Sequence, residues 1–156
     1  MPDQDPSDDL NTGLLLYIPY RAMEGRVFDA LAAAGYKDFT PAQARVLQRI
    51  APGGSRLTDL AEQAAITKQS AGFLVDQLQR AGYVERVPDP ADARARLVRV
   101  AERGRRAIPL AAAAVAQVES EWTEHLGRRR MAQLHDILTR LREVTDPYAP
   151  PSAIRE

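Results

Sequence analysis

The sequence predicts a mainly α-helical fold with one small β-hairpin, and three observations carry that prediction. Apolar residues recur at helical spacing through most of residues 10–145, punctuated by recognisable caps and stops. Residues 66–104 read in order as a turn, a helix, a strand, the proline-bearing loop PDPADAR, a second strand and a helix start. Long helical patterns remain on both sides of that unit, at 10–34 and 102–146, with more apolar surface than a small central domain could cover.

In chain order, residues 1–9 are polar with two prolines and are expected to be a disordered tail. Leu14, Ile18, Val27, Phe28 and Leu31 then mark a long amphipathic helix, which Pro19 should kink or interrupt and Gly35 should stop. Thr40, Pro41 and Gln43 form a Thr-x-x-Gln capping box with proline at the first helical position, and Pro52, Gly53 and Gly54 end the helix it starts. LTDLAEQAA is a short helix with Thr58 as its expected cap, Asp59 and Glu62 near its positive end, and Leu57, Leu60, Ala61 and Ala64 on its buried side. Ile66 and Thr67 turn into a helix running to about Ala81, stopped by Gly82. Strands are expected at 83–87 and 95–100 around the loop 88–94. Residues 102–127 are an alanine-rich helix that Pro109 should bend or delay. After a break at Gly127, Met131, Leu134, Leu138, Leu141 and Val144 give 128–144 a single apolar stripe, and Pro147, Pro150 and Pro151 end it, leaving 147–156 as a flexible C-terminus.

With 156 residues the chain suits one domain with a real core. It has no cysteine, which excludes disulfides and thiolate metal sites and fits a reducing compartment. No apolar run has transmembrane length and the acidic first ten residues lack a secretory signal, so a cytoplasmic protein is expected. The net charge is zero but segregated. Asp3, Asp5, Asp8 and Asp9 occupy a base-free start, whereas residues 80–106 hold eight arginines against four acids. Local potential governs attraction to phosphate, although a solvated charged face gives the same composition.

The helix after Thr67 has the two faces that DNA reading requires. Ala71, Leu74, Val75 and Leu78 supply the core side, while Lys68, Gln69, Gly72, Phe73 and Gln77 fall largely on the other. It begins Thr67-Lys68-Gln69-Ser70, with no acid before Asp76. A helix start normally favours acids, and this one makes sense facing phosphate, though a basic surface helix would read the same. The hairpin beside it strengthens the first reading. A loop that probes a narrow minor groove needs a long cation; Arg94 fits, with Asp92 to orient its guanidinium, Pro88 and Pro90 to stiffen the approach, and Arg96 one strand period further on. Thr58, on the preceding helix, completes the candidate DNA contacts.

The run ITKQSAGFLVDQLQRAGYVERVPDPADARARLVRVAERG, residues 66–104, resembles the helix-turn-helix and wing of the MarR family of bacterial transcriptional regulators. The Asp92-x-Arg94 wing and the spacing to Gly104 make the resemblance specific, and the order of flanking helices agrees over residues 10–145. Phe73 stands where that family commonly has a polar or basic residue, and could touch a thymine methyl or simply pack. Ala101 replaces the usual threonine cap of the following helix.

The resemblance implies a winged helix-turn-helix domain at 36–101 flanked by dimerisation helices at 10–34 and 102–146. It further implies a homodimer with interlocked terminal helices, acting as a ligand-responsive regulator, usually a repressor, on a palindromic operator in double-stranded DNA. By periodicity alone those helices could instead fold back on their own subunit. In such proteins a small effector enters a crevice between the dimerisation and DNA-binding regions, which makes Tyr17, Tyr20, Arg21 and Met23 candidates for an aromatic or anionic effector and assigns Trp122 to dimer packing.

Catalytic chemistry finds no support. His125 and His135 lack metal-ligand spacing, there is no glycine-rich phosphate loop or nucleophile elbow, and no cofactor or metal is expected. The rival reading is a helical protein–protein adaptor, or a metal or small-molecule sensor, built on a degenerate winged helix.

Overall fold

A computed structural model describes residues 10–148. The expected tail at 1–9, and residues 149–156 of the expected flexible C-terminus, lie outside the described residues. The elements are α1 (Thr12–Ala33), α2 (Pro41–Leu47), α3 (Leu57–Gln63), α4 (Lys68–Arg80), β1 (Val84–Asp89), β2 (Asp92–Val100), α5 (Glu102–Leu126) and α6 (Arg128–Thr145). The strands form one antiparallel hairpin, and Ser55 adds a bridge to Val98 on its inner edge, with N···O distances of 2.9 and 2.8 Å.

The core sits where α1 and α5 cross the central unit. Leu31 of α1, Val46 of α2, Leu60 of α3, Val75 and Leu78 of α4, Val84 and Val98 of the hairpin and Ala107 of α5 meet there around Tyr83. The Tyr83 hydroxyl donates to Asp38 Oδ1 at 2.8 Å, and Arg103 donates to the same carboxylate at 2.8 and 2.9 Å while its guanidinium stacks 4.5 Å from the Tyr83 ring centre. The Arg103 hydrogen bonds hold the Asp38 carboxyl below its ordinary range. Burial, then the bond to Asp38, pushes the Tyr83 phenol up. Gly104 explains the spacing noted in the sequence. A Cβ there would lie 2.5 Å from the Tyr83 carbonyl oxygen and 2.8 Å from Val100 Cγ1, so only glycine lets α5 start so close to the hairpin.

Most caps fall where the sequence puts them. The Thr40–Gln43 box is reciprocal, with Gln43 N donating to Thr40 Oγ1 at 3.2 Å and Thr40 N to Gln43 Oε1 at 3.1 Å. Gly35 and Gly82 follow the ends of α1 and α4 at positive φ, and Ala101 makes no side-chain cap. Three expectations need correction and two are narrowed. α1 runs without interruption through Pro19 and α5 without delay through Pro109, so of the two effects expected of each proline only the kink or bend is left. Proline removes one helical donor, which costs a bond without ending a helix whose neighbouring turns stay intact. α2 stops at Leu47, before Pro52. Arg56, not Thr58, is the N-cap residue of α3; it has the extended backbone, and Thr58 lies inside the first turn. The strands reach further than expected, so only Pro90 and Ala91 remain as the hairpin turn.

The terminal helices differ from the core. None of the described residues of α6 is buried, and Leu14, Leu15, Tyr17 and Ile18 of α1 are exposed. A bidentate ion pair from Arg26 of α1 to Glu121 of α5, at 2.8 and 2.9 Å, ties these two helices together. No helix among the described residues is long and apolar enough to cross a membrane.

Candidate nucleic-acid interface

Helix α4 starts on a locally complete cap. Thr67 Oγ1 accepts from Ser70 N at 3.0 Å and donates to Ser70 Oγ at 2.9 Å. Ala71, Val75 and Leu78 are buried, which fixes the rotation of the helix and leaves Lys68, Gln69, Ser70 and Phe73 facing solvent. Phe73 is 60% exposed and is not part of the hydrophobic core. Gly72 is half-buried, its α-carbon turned toward Leu57 of α3. Gln77 departs from the expected face: it is half-buried, and its side-chain oxygen accepts from the buried Gln43 of α2 at 3.3 Å. That contact registers α2 against α4. Thr58 is exposed on the first turn of α3.

The hairpin is locked to this helical unit by charge. Arg86 of β1 donates to Asp76 Oδ1 at 2.8 Å and also reaches the Gln79 side chain, joining β1 to α4. At the far end Arg56 donates from Nε and Nη2 to Asp89 Oδ2, at 3.0 and 2.8 Å. Asp89 is buried and also accepts from Ala91 N at 2.9 Å, closing the hairpin turn. The Ala91 amide first, and Arg56 second, hold the Asp89 carboxyl below its ordinary range. Neither clamp is visible in the sequence. Arg56 and Asp89 are 33 residues apart, and no spacing rule links them.

Pairing along the hairpin is regular from Val84↔Val100 to Pro88↔Arg96 and then jumps to Asp89↔Asp92. Residues 93–95 of β2 are left out of the ladder as a bulge, with Arg94 at its centre. A bulge re-aims a side chain, and Arg94 is exposed here. Asp92 does not orient the Arg94 guanidinium as expected. Its Oδ1 accepts instead from the Arg94 backbone N at 3.0 Å, the two-residue reach that suits a short aspartate, and its Oδ2 lies 3.9 Å from Arg56. Arg96 is exposed and donates to the Arg86 carbonyl at 3.2 Å. Of the eight arginines in 80–106, six bond to carboxylates, amide oxygens or carbonyls of this chain. Among the described residues the guanidinium groups of Arg80 and Arg94, like the Lys68 ammonium, have no such partner.

Apart from these residues, α1, α2 and α5 line a cleft of about 560 Å³. Tyr20, Met23 and Phe28 of α1, Leu47 of α2 and Ile108 and Ala111 of α5 are among its lining. Two of the four effector candidates, Tyr20 and Met23, therefore reach it. Tyr17 and Arg21 do not line it: Tyr17 is exposed, and Arg21 pairs with Glu24 one turn along. Glu24, absent from the sequence-based candidates, lines the cleft and accepts from the Tyr20 hydroxyl at 2.9 Å. Burial and this bond push the Tyr20 phenol up.

Comparison with known proteins agrees with the fold. Residues 37–95 match a family model described as MarR family. The chain is 26% identical over 147 residues to the HTH-type transcriptional regulator FarR of Neisseria gonorrhoeae, covering 94% of this chain and 97% of that one. Among solved structures, NadR in complex with 4-hydroxyphenylacetate superposes with a TM-score of 0.64 at 26% identity, covering 90% of this chain and 97% of the other. Apo MarR from E. coli shares the fold with a TM-score of 0.66 at 24% identity over 85% of this chain and 98% of its own.

Proposed function

We propose that this chain, whose residues 37–95 match the MarR family model, is a transcriptional regulator of that family and works as a dimeric repressor whose grip on DNA is released by a small effector. The observation that carries the DNA-binding mode is the electrostatic inequality within one rigid unit. Most of its arginines are consumed internally, whereas Lys68 at the start of α4 and Arg94 on the wing bulge point into solvent unpaired among the described residues. Lys68, Gln69, Ser70 and Phe73 enter a major groove, Phe73 offering an apolar contact to a thymine methyl. Arg94 reaches the adjoining minor groove, where A·T-rich sequence concentrates negative potential. Arg96 and Thr58 contact the phosphate backbone on either side. Asp92, Thr67, Gly72 and Gln77 support the contact surface without touching bases.

Pairing of two chains through α1, α5 and α6 covers the apolar residues those helices leave exposed, and sets two α4 helices about 34 Å apart, one turn of duplex, on a palindromic operator. The cleft lies between these helices and the winged unit. An effector wedged there favours a separation of the two α4 helices that no longer matches successive grooves. NadR, which has this fold, binds 4-hydroxyphenylacetate, and that supports a small aromatic molecule as the effector class without fixing its charge.

A footprint on the DNA upstream of the protein's own gene, followed by a gel shift with Lys68→Glu, tests the reading. Wild-type protein should protect a two-fold symmetric site, and the charge reversal should abolish retention while sedimentation still finds a folded dimer. Retention that survives the reversal would remove α4 from the interface and favour the adaptor reading.

A further inference from the structure

The charge of the cleft separates two classes of effector. Its wall is overwhelmingly apolar, and Glu24 is the one charged residue among the described residues that line it. The Glu24 side chain is only 9% exposed. The nearest cations stand outside the lining: Arg21, half exposed and paired with Glu24, and Arg45, exposed on α2. A carboxylate ligand seated in this cleft would place a second negative charge beside Glu24, with no lining cation to offset it, and like charges brought together at a partly desolvated contact are costly. A donor head meets the opposite situation. A carboxylate has about four acceptor positions, and among the described residues Glu24 engages only the Tyr20 hydroxyl and Arg21. The Arg21 bond is solvent-exposed on its cationic side, so a ligand that displaces it gives up little.

We propose that the cleft takes a lipophilic aromatic amine in place of an aromatic acid, with the protonated amine donating to Glu24 and the ring lying against Phe28, Leu47 and Ile108. The inference rests on the cleft being the effector site. It deepens that reading by assigning the ligand's charge, and it makes Glu24 the residue that sets specificity. It also replaces the anionic effector that Arg21 suggests from sequence, because Glu24 lines the cleft and Arg21, half exposed, does not.

Calorimetric titration of the full chain with 2-naphthylmethylamine, 2-naphthalenemethanol and 2-naphthoic acid varies the head group on one ring. The wild type should bind the amine at least about tenfold more tightly than the acid, with the alcohol between them. Glu24→Gln should bring amine and acid to within a few fold of each other while the alcohol binds as before. Acid binding as tight as the amine, or a preference that Glu24→Gln leaves unchanged, would overturn the proposal and leave the cleft reading intact. Ala112→Trp, which fills the cleft from an exposed position on α5, should block all three probes. If none binds the wild type, or binding survives that block, the cleft reading fails and this proposal falls with it.

Discussion

The winged unit and the terminal helices use similar apolar residues to opposite effect. Val46, Leu60, Val75 and Leu78 of the central unit are fully buried. α6 carries a stripe of comparable length and buries none of it; Ile137, Leu138 and Leu141 are exposed and Val144 is 82% exposed. α1 is divided between the two regimes, with Leu31 in the core and Leu14 to Ile18 in solvent. The first region is finished within one chain. The second has the periodicity of a packed helix but leaves most of its stripe uncovered among the described residues, which is the surface the proposed pairing with a second copy would bury.

Paired truncations break or sharpen this contrast most strongly. Leu78→Ala should lose about 2–5 kcal/mol of stability at any protein concentration, because it opens a cavity in a closed core. Leu141→Ala should instead lower the melting temperature by an amount that depends on protein concentration and vanishes where the chains are dissociated, since its cost falls on association. Equal, concentration-independent losses measured by thermal denaturation would erase the distinction between the regions.

Gly104 tests where the central unit ends. A methyl group there overlaps the Tyr83 carbonyl, and backbone cannot swing aside as a side chain can. Gly104→Ala should therefore cost about 1–3 kcal/mol in denaturant titration, as overpacking does. A neutral result would mean that α5 is free to lift from the hairpin, and that the core does not extend into it.

The smallest effect lies between the regions, in the Arg26–Glu121 pair. The Arg26 hydrogen bonds, aided by Gln117, pull the Glu121 carboxyl from its usual 4.5 down to about 2. A folded pKa below the unfolded one gives a stabilising contribution that is complete above about pH 4.5 and lost as pH falls toward 2. Wild type should therefore exceed Arg26→Gln in stability at neutral pH, and the gap should close over that window. The pair is exposed, so the gap should be small and should shrink with salt. A gap that persists at pH 2 would assign the effect of Arg26 to packing.

What was legible in the sequence follows the range of the interactions. Caps, stops and stripes are local: the Thr40–Gln43 box, the start of α4 at Thr67, and the break at Gly127 could be read from residues a few positions apart. The wing was visible as a pattern, but its braces were not. Asp92 binds a backbone amide, Asp89 receives Arg56 from α3, and a bulge rather than the turn carries Arg94. Each depends on which segments fold together. Glu24 was passed over for the same reason, since one carboxylate on an amphipathic helix carries no mark until α2 and α5 close around it. Tyr17 shares a face with Tyr20, Glu24 and Phe28 but lies one turn before the cleft, whereas Arg21 is rotated to the side of that face.

The central claim is that unpaired cations on α4 and the wing bulge grip DNA. The salt dependence of operator affinity, measured for wild type and Arg94→Ala, tests it most directly. Loss of one phosphate-region contact should weaken binding and reduce the slope of log affinity against log salt by about one. Unchanged affinity and slope in a correctly folded dimer would take the wing off the DNA and contradict the account.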